Sequence, residues 1–130
     1  MDLEKVTKIY KETNLSTMSM TEYVLLLLKE CLYNVRNYEG SGRSEQNESI
    51  TKAQKIIFEL MTTVDRRTKE GERLFTFYTY VNQCLVEVRL NGSEKHLNLV
   101  EQYLLEMLAS WEDAKPPIQR IGYTRQDLRL

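Results

Sequence analysis

Four stretches of about twenty residues each repeat an apolar side chain every three or four positions, and only short polar or glycine-bearing breaks separate them. That spacing is the 3.6-residue period of an amphipathic helix. In the first stretch Val24, Leu27, Leu28, Cys31, Val35 and Tyr38 share a face. In the second, Ile50, Ala53, Ile57, Leu60 and Val64 follow one another at intervals of 3, 4, 3 and 4. The third carries Leu74, Phe77, Tyr78, Val81, Cys84, Leu85 and Val88. The fourth carries Leu97, Val100, Leu104, Met107, Leu108 and Trp111. Helices of this length are about 30 Å long, and short links force neighbours to run in opposite directions. The sequence predicts an all-α fold: an antiparallel up-down four-helix bundle over residues 19–114.

The boundaries follow from local chemistry. Ser19 with Glu22 three residues later is a capping box, so helix one starts there and is expected to run to about Glu39. "GSGRSE" breaks the chain before a second helix over roughly 45–66. "DRRTKEGER" supplies a solvated turn around Gly71 before a third helix over roughly 72–90. "NGS" at 91–93 is a tight turn with Ser93 as N-cap, and the fourth helix covers roughly 94–114. Pro116 and Pro117 are expected to end it. "FTFYTYV" at 75–81 alternates like a strand, but the helical period continues through it to Val88. Residues 1–18 form a short N-terminal arm, and residues 115–130 a basic C-terminal tail expected to be flexible.

Charge and composition exclude several function classes. The tail holds Lys115, Arg120, Arg125 and Arg129 against Asp127, a net of +3, which leaves −4 of the formal −1 for residues 1–114. A mildly acidic body argues against a nucleic-acid surface. No run of about 18 apolar residues occurs, so membrane insertion is not expected. The charged start "MDLEKVTKIYKET" lacks the apolar centre of a signal peptide, which points to the cytosol. Cys31 and Cys84 fall on core faces and read as buried free thiols. His96 is the one histidine and reads as an edge residue. There is no Glu-x-x-His pair, zinc cluster, phosphate loop or nucleophile elbow, so no metal, cofactor or catalytic residue is expected.

What remains is surface. Leu26 and Tyr33 lie on the back of helix one, and Ile56 and Phe58 flank the stripe of helix two. Phe75, Val86 and Leu90 lie nearly opposite the main face of helix three, and Leu99 and Leu105 are off the stripe of helix four. Scattered exposed apolar residues are ordinary, but their concentration on a small bundle favours a protein-binding groove. In the arm, Leu3, Val6 and Tyr10 share a face if it is helical, and would cover the back of helix one.

Several motifs together resemble one family, the flagellin-specific export chaperones of the FliS type. "KAQKIIFELMTTVD" (52–65) is similar to that family's Lys-Ala-Gln-x-Ile-Ile-x-Glu-Leu pattern. "FYTYVNQCLVEV" (77–88) places Tyr78, Tyr80, Leu85 and Glu87 as the family does, and "WEDA" (111–114) ends helix four in its style. Tyr10, Thr17 and Ser19 keep its spacing ahead of helix one. Departures are Met20 after the N-cap, Leu28-Lys29-Glu30 after the first leucines, and Gln83-Cys84 in place of paired arginines. The resemblance covers roughly residues 10–114. It implies a cytosolic bundle that binds the disordered C-terminal segment of flagellin, prevents premature polymerisation and serves the flagellar export machinery. On that footing Tyr10, Leu26, Tyr33, Ile56, Phe58, Phe75, Val86 and Leu90 are the candidate flagellin-binding residues. A generic helical adaptor, or a homodimer using the same faces, is the alternative reading of the residues alone.

Overall fold

The computed structural model describes residues 19–38 and 42–120, with side chains through Asp113. Four helices follow in order: α1 (Met20–Arg36), α2 (Arg43–Thr62), α3 (Lys69–Asn91) and α4 (Glu94–Arg120). They close a ring in which α1 packs on α2 and α4, and α3 packs on α2 and α4. Tyr23 reaches Glu59 while Cys31 lies against Ala53, so α2 descends as α1 ascends. Lys29 pairs with Glu112 and Arg36 with Glu101, so α4 is antiparallel to α1 as well. This is the four-helix bundle that the periodicity predicts.

The helix ends show why the chain turns where it does. At α1 the Ser19 hydroxyl accepts the Glu22 N–H at 3.0 Å, and the Glu22 carboxylate accepts the Ser19 N–H at 3.1 Å. At α2 the Gly42 N–H donates to the Glu45 carboxylate at 3.2 Å. α2 stops at Thr62, earlier than the expected 66. There the hydroxyls of Thr62 and Thr63 donate to the carbonyls of Glu59 and Leu60, both at 2.6 Å, and the chain turns. α3 starts at Lys69, earlier than the expected 72, because Thr68 caps it by accepting the Gly71 N–H at 2.9 Å. Gly71 is therefore inside the first helical turn, not at the centre of the loop. A Cβ on it would sit 1.8 Å from the Asp65 carbonyl oxygen. Gly92 ends α3 in the left-handed conformation at φ 61°, and its N–H donates to the Val88 carbonyl at 2.8 Å. Ser93 then caps α4 by accepting the His96 N–H at 3.2 Å.

α4 departs most from expectation. It continues through Pro116 and Pro117 to Arg120. Each proline has a φ near −65° that a helix accepts, but removes one backbone donor and crowds the carbonyl four residues back, so this last stretch is held by fewer helical hydrogen bonds. The arm (residues 1–18, with Tyr10), residues 39–41 and residues 121–130 lie outside the described residues.

The predicted stripes form the core. Val24, Leu27, Leu28, Cys31 and Val35 of α1 meet Ile50, Ala53, Ile57 and Leu60 of α2. Tyr78, Val81, Cys84, Leu85 and Val88 of α3 and Leu97, Val100, Leu104 and Trp111 of α4 complete it. Val64, Leu74, Phe77, Met107 and Leu108 pack against its edge. Both cysteines are buried free thiols, and burial pushes each above the ordinary thiol range. The Tyr78 hydroxyl is buried with no hydrogen-bond partner among the described residues.

Candidate functional site

The outer flank shared by α2 and α3 is marked by a polar contact: the Gln54 side-chain amide donates to the Asn82 side-chain Oδ1 at 3.0 Å. Phe58 is one turn beyond Gln54, and Val86 one turn beyond Asn82. Phe75 is two turns before Asn82, and Leu90 just over two turns after it. Phe58, Phe75 and Val86 therefore lie toward the same side of the bundle, and Leu90 is about 80° further round α3 from Asn82, opposite the core stripe. Phe58 is 50% exposed and Leu90 68%, while Phe75 and Val86 are half-buried. The Arg66 guanidinium lies 3.8 Å above the centre of the Phe75 ring, which keeps that ring covered by a cation at one end. Arg66 is itself held by the Glu72 carboxylate, at 3.0 and 3.2 Å. Along this flank the two phenyl rings, Phe58 and Phe75, lie toward the α2–α3 turn and the aliphatic Val86 and Leu90 lie beyond the amide pair in the other direction.

The other candidates are placed differently. Tyr33 is exposed, as expected, but on the outer side of α1, away from α2 and α3. Leu26 is half-buried and packs against the core, so the back of α1 is less bare than the periodicity implies. Ile56 is fully buried. Its flanking position points toward α1, whose buried arc is wide enough to reach it. Ile56 is thus a core residue, and the expectation that it meets a client does not hold for the free chain. Tyr10 lies outside the described residues.

Sequence reasoning missed Tyr80. It is 42% exposed and stacks edge-on against Tyr103, with ring centres 5.7 Å apart; Tyr103 meets Phe77 in the same way. Hydrogen bonding with Cys84, and then with Tyr103, pushes the Tyr80 phenol up to about 12. Tyr80, Gln83, Cys84, Val86, Glu87 and His96 line a depression between α3 and the start of α4. The signal was present: Tyr80 immediately precedes the core residue Val81, about 100° around the helix from it, which is the edge of a buried face. Cys84 and His96 are not arranged as a nucleophile and its base. Cys84 is buried and its thiol disfavours ionisation, and the His96 Nδ1 is occupied by the Ser93 hydroxyl at 2.7 Å. Among the described residues no cluster of His, Cys, Asp or Glu could hold a metal ion, and no helix is long and apolar enough to cross a membrane.

Comparison with known proteins bears on what such a surface serves. A family model described as "Flagellar protein FliS" matches residues 3–117. The flagellar secretion chaperone FliS of Bacillus subtilis (strain 168) is 26% identical over 118 residues, which span 88% of this chain and 89% of that protein.

Proposed function

The chain belongs to the FliS family of flagellar proteins, and on that premise we propose that it is a cytosolic flagellar secretion chaperone, not an enzyme. Its client is the disordered C-terminal segment of flagellin, which it holds back from polymerisation until the export machinery takes it. The observation that carries this reading is the α2–α3 flank, where Phe58, Phe75, Val86 and Leu90 stay wholly or partly accessible around the Gln54–Asn82 contact while the core closes without the exposed pair. A disordered segment must cover a long apolar surface to offset the entropy it loses on ordering. Two helices side by side supply one, and the amide pair gives an extended backbone a polar partner midway along it. No part of the proposal calls for nucleic acid, a cofactor or insertion in a membrane.

Pull-down with full-length flagellin and with flagellin lacking its C-terminal segment tests the client. Capture of the full-length protein only is expected; equal capture of both would reject the assignment. Phe58→Ser combined with Leu90→Ser is expected to weaken binding at least about tenfold, since exposed apolar anchors dominate such interfaces. Unchanged affinity in a normally folded double variant would move the site off this flank.

A further inference from the structure

Glu87, half-buried on α3, has no cationic partner among the described residues. Glu72, Glu101 and Glu112, by contrast, each meet an arginine or a lysine. The Glu87 Oε1 accepts the Asn91 side-chain amide at 2.8 Å, and Oε2 carries no hydrogen bond among the described residues. This carboxylate lines the depression of about 420 Å³ between α3 and the start of α4, and none of the six lining residues is a lysine or an arginine. Burial chiefly pushes the Cys84 thiol up, and the Glu87 charge adds to it, so that charge is felt in the wall of the depression. Tyr80 lies two turns before Glu87 on the same side of α3. It is 42% exposed and is held edge-on against Tyr103. His96 closes the depression from the first turn of α4, with its Nδ1 engaged by the Ser93 hydroxyl at 2.7 Å.

We infer that this depression receives an arginine side chain, presented by a basic segment of a protein partner. A carboxylate without a counter-ion and an accessible aromatic ring are the two features that attract a guanidinium, the first by ion pairing and the second by stacking. The Gln83 side-chain carbonyl adds an acceptor for its remaining donors. Lysine suits the combination less well, because an ammonium is more strongly hydrated and has no plane to stack. A metal ion is not the occupant, since among the described residues no cluster of His, Cys, Asp or Glu could hold one. The depression is open to solvent and framed by two helices only. That suits a side chain reaching in from a partner's surface better than an enclosed small molecule. The net charge of −4 over residues 1–114 steers a basic segment toward the bundle. The chain's own tail is a poor source of the cation. α4 runs about 36 Å from His96 to Arg120, whereas the chain from Arg120 back to Arg125 spans at most about 18 Å, and to Arg129 about 32 Å. Val86 separates the depression from the α2–α3 flank, and this inference does not rest on the identity of the client.

Titration of the full chain with the peptide acetyl-Gly-Arg-Gly-amide, followed by NMR shifts, tests it. Saturable shifts at Tyr80, Gln83, Glu87 and His96 are expected, with a Kd of about 1 mM for a single side chain. The same peptide with citrulline keeps the shape and loses the charge, and is expected to bind at least about tenfold more weakly; the lysine peptide is expected to bind about threefold more weakly. Glu87→Gln keeps the size of the side chain and an acceptor for Asn91. It is expected to raise the Kd of the arginine peptide at least about fivefold with an unchanged thermal melt. Absence of saturable shifts at these four residues overturns the inference. So does citrulline or lysine binding as tightly as arginine on the wild type, or a folded Glu87→Gln chain with unchanged affinity. Arg125→Ser with Arg129→Ser is expected to leave the affinity as it is; tighter binding of the peptide would make the tail the occupant and overturn the assignment to a partner.

Discussion

α1 buries eleven of its seventeen residues, whereas α3 buries six of its twenty-three. The difference lies in the flanks. In α1 the buried arc extends from Leu25 and Leu32 on the side of α4 to Tyr23, Glu30 and Asn34 on the side of α2. The polar members are satisfied there: Asn34 donates to the Glu30 carbonyl at 2.9 Å, and the Tyr23 hydroxyl to Glu59 at 2.7 Å. In α3 the arc is a single stripe, and Phe75, Tyr80, Val86 and Leu90 stand outside it. Each helix carries eleven apolar residues, over seventeen positions in α1 and twenty-three in α3. What separates them is whether the apolar residues are used up inside the chain. α1 acts as the wedge of the bundle, and α3 as the helix that keeps apolar surface for something else.

The contrast can be broken most sharply in α1. Leu28→Ala removes a fully buried side chain at its centre and is expected to cost about 2–5 kcal/mol in urea melts. A loss under about 1 kcal/mol would show that α1 is not the wedge described. The next largest effect is expected where α3 begins. Gly71→Ala must displace the Asp65 carbonyl, which its Cβ would meet at 1.8 Å, and overpacking of this kind costs about 1–3 kcal/mol. If the melt is unmoved, the start of α3 is looser than its cap geometry implies.

A gain is expected in the middle of α3. Tyr78→Phe removes the buried hydroxyl without a described partner and is expected to stabilise by about 1 kcal/mol at neutral pH. The same residue shapes the alkaline limit. Cys31, Cys84, Tyr78 and Tyr80 all have folded pKa values above their ordinary ones. The unfolded chain therefore loses those protons first. Stability is fully present below the ordinary thiol value of 9.0 and falls as pH rises through and beyond it. Tyr78→Phe removes one contributor, so its decline above pH 10, the ordinary phenol value, is expected to be shallower than that of the wild type. Parallel declines would show that Tyr78 does not titrate with unfolding. The smallest effect belongs to the display surface: Leu90→Ser is expected to change stability by no more than about 0.5 kcal/mol. A larger loss would make Leu90 structural and erase the contrast with α1.

The stripes of all four helices and the Ser19–Glu22 cap were legible because they depend on period and on near neighbours in sequence. The flanks were not, because a residue some 60° off a stripe is buried or bare according to how wide the neighbouring helix is. Ile56 and Phe58 illustrate this: both flank the stripe of α2, yet one faces the broad side of α1 and is buried while the other is half exposed. The ends of α2 and α3 were displaced by threonine hydroxyls bonding backbone groups, which composition does not announce. The pair Pro116–Pro117 marked a weak stretch of helix and not its end. Of the candidate site, the α2–α3 residues were recoverable as outward apolar positions; Tyr80 was hidden beside Val81, at the margin of the core.

Only Gly92 and Ser93 join α3 to α4, while the contact of Arg36 with Glu101 that helps close the ring spans 65 positions of chain. Loop-closure entropy makes these unequal steps in assembly. The α3–α4 hairpin is expected to form early in folding, with its aromatic contacts between Phe77, Tyr80 and Tyr103, and α1 to dock last. Pulse-labelled hydrogen exchange during refolding would read this order directly, as amide protection in α3 ahead of α1; protection of α1 first would refute it. On the ribosome the order has a further consequence. The wedge helix emerges first and its α4 neighbour last, so α1 must wait, with its leucines uncovered on that side, until synthesis of the bundle is nearly complete.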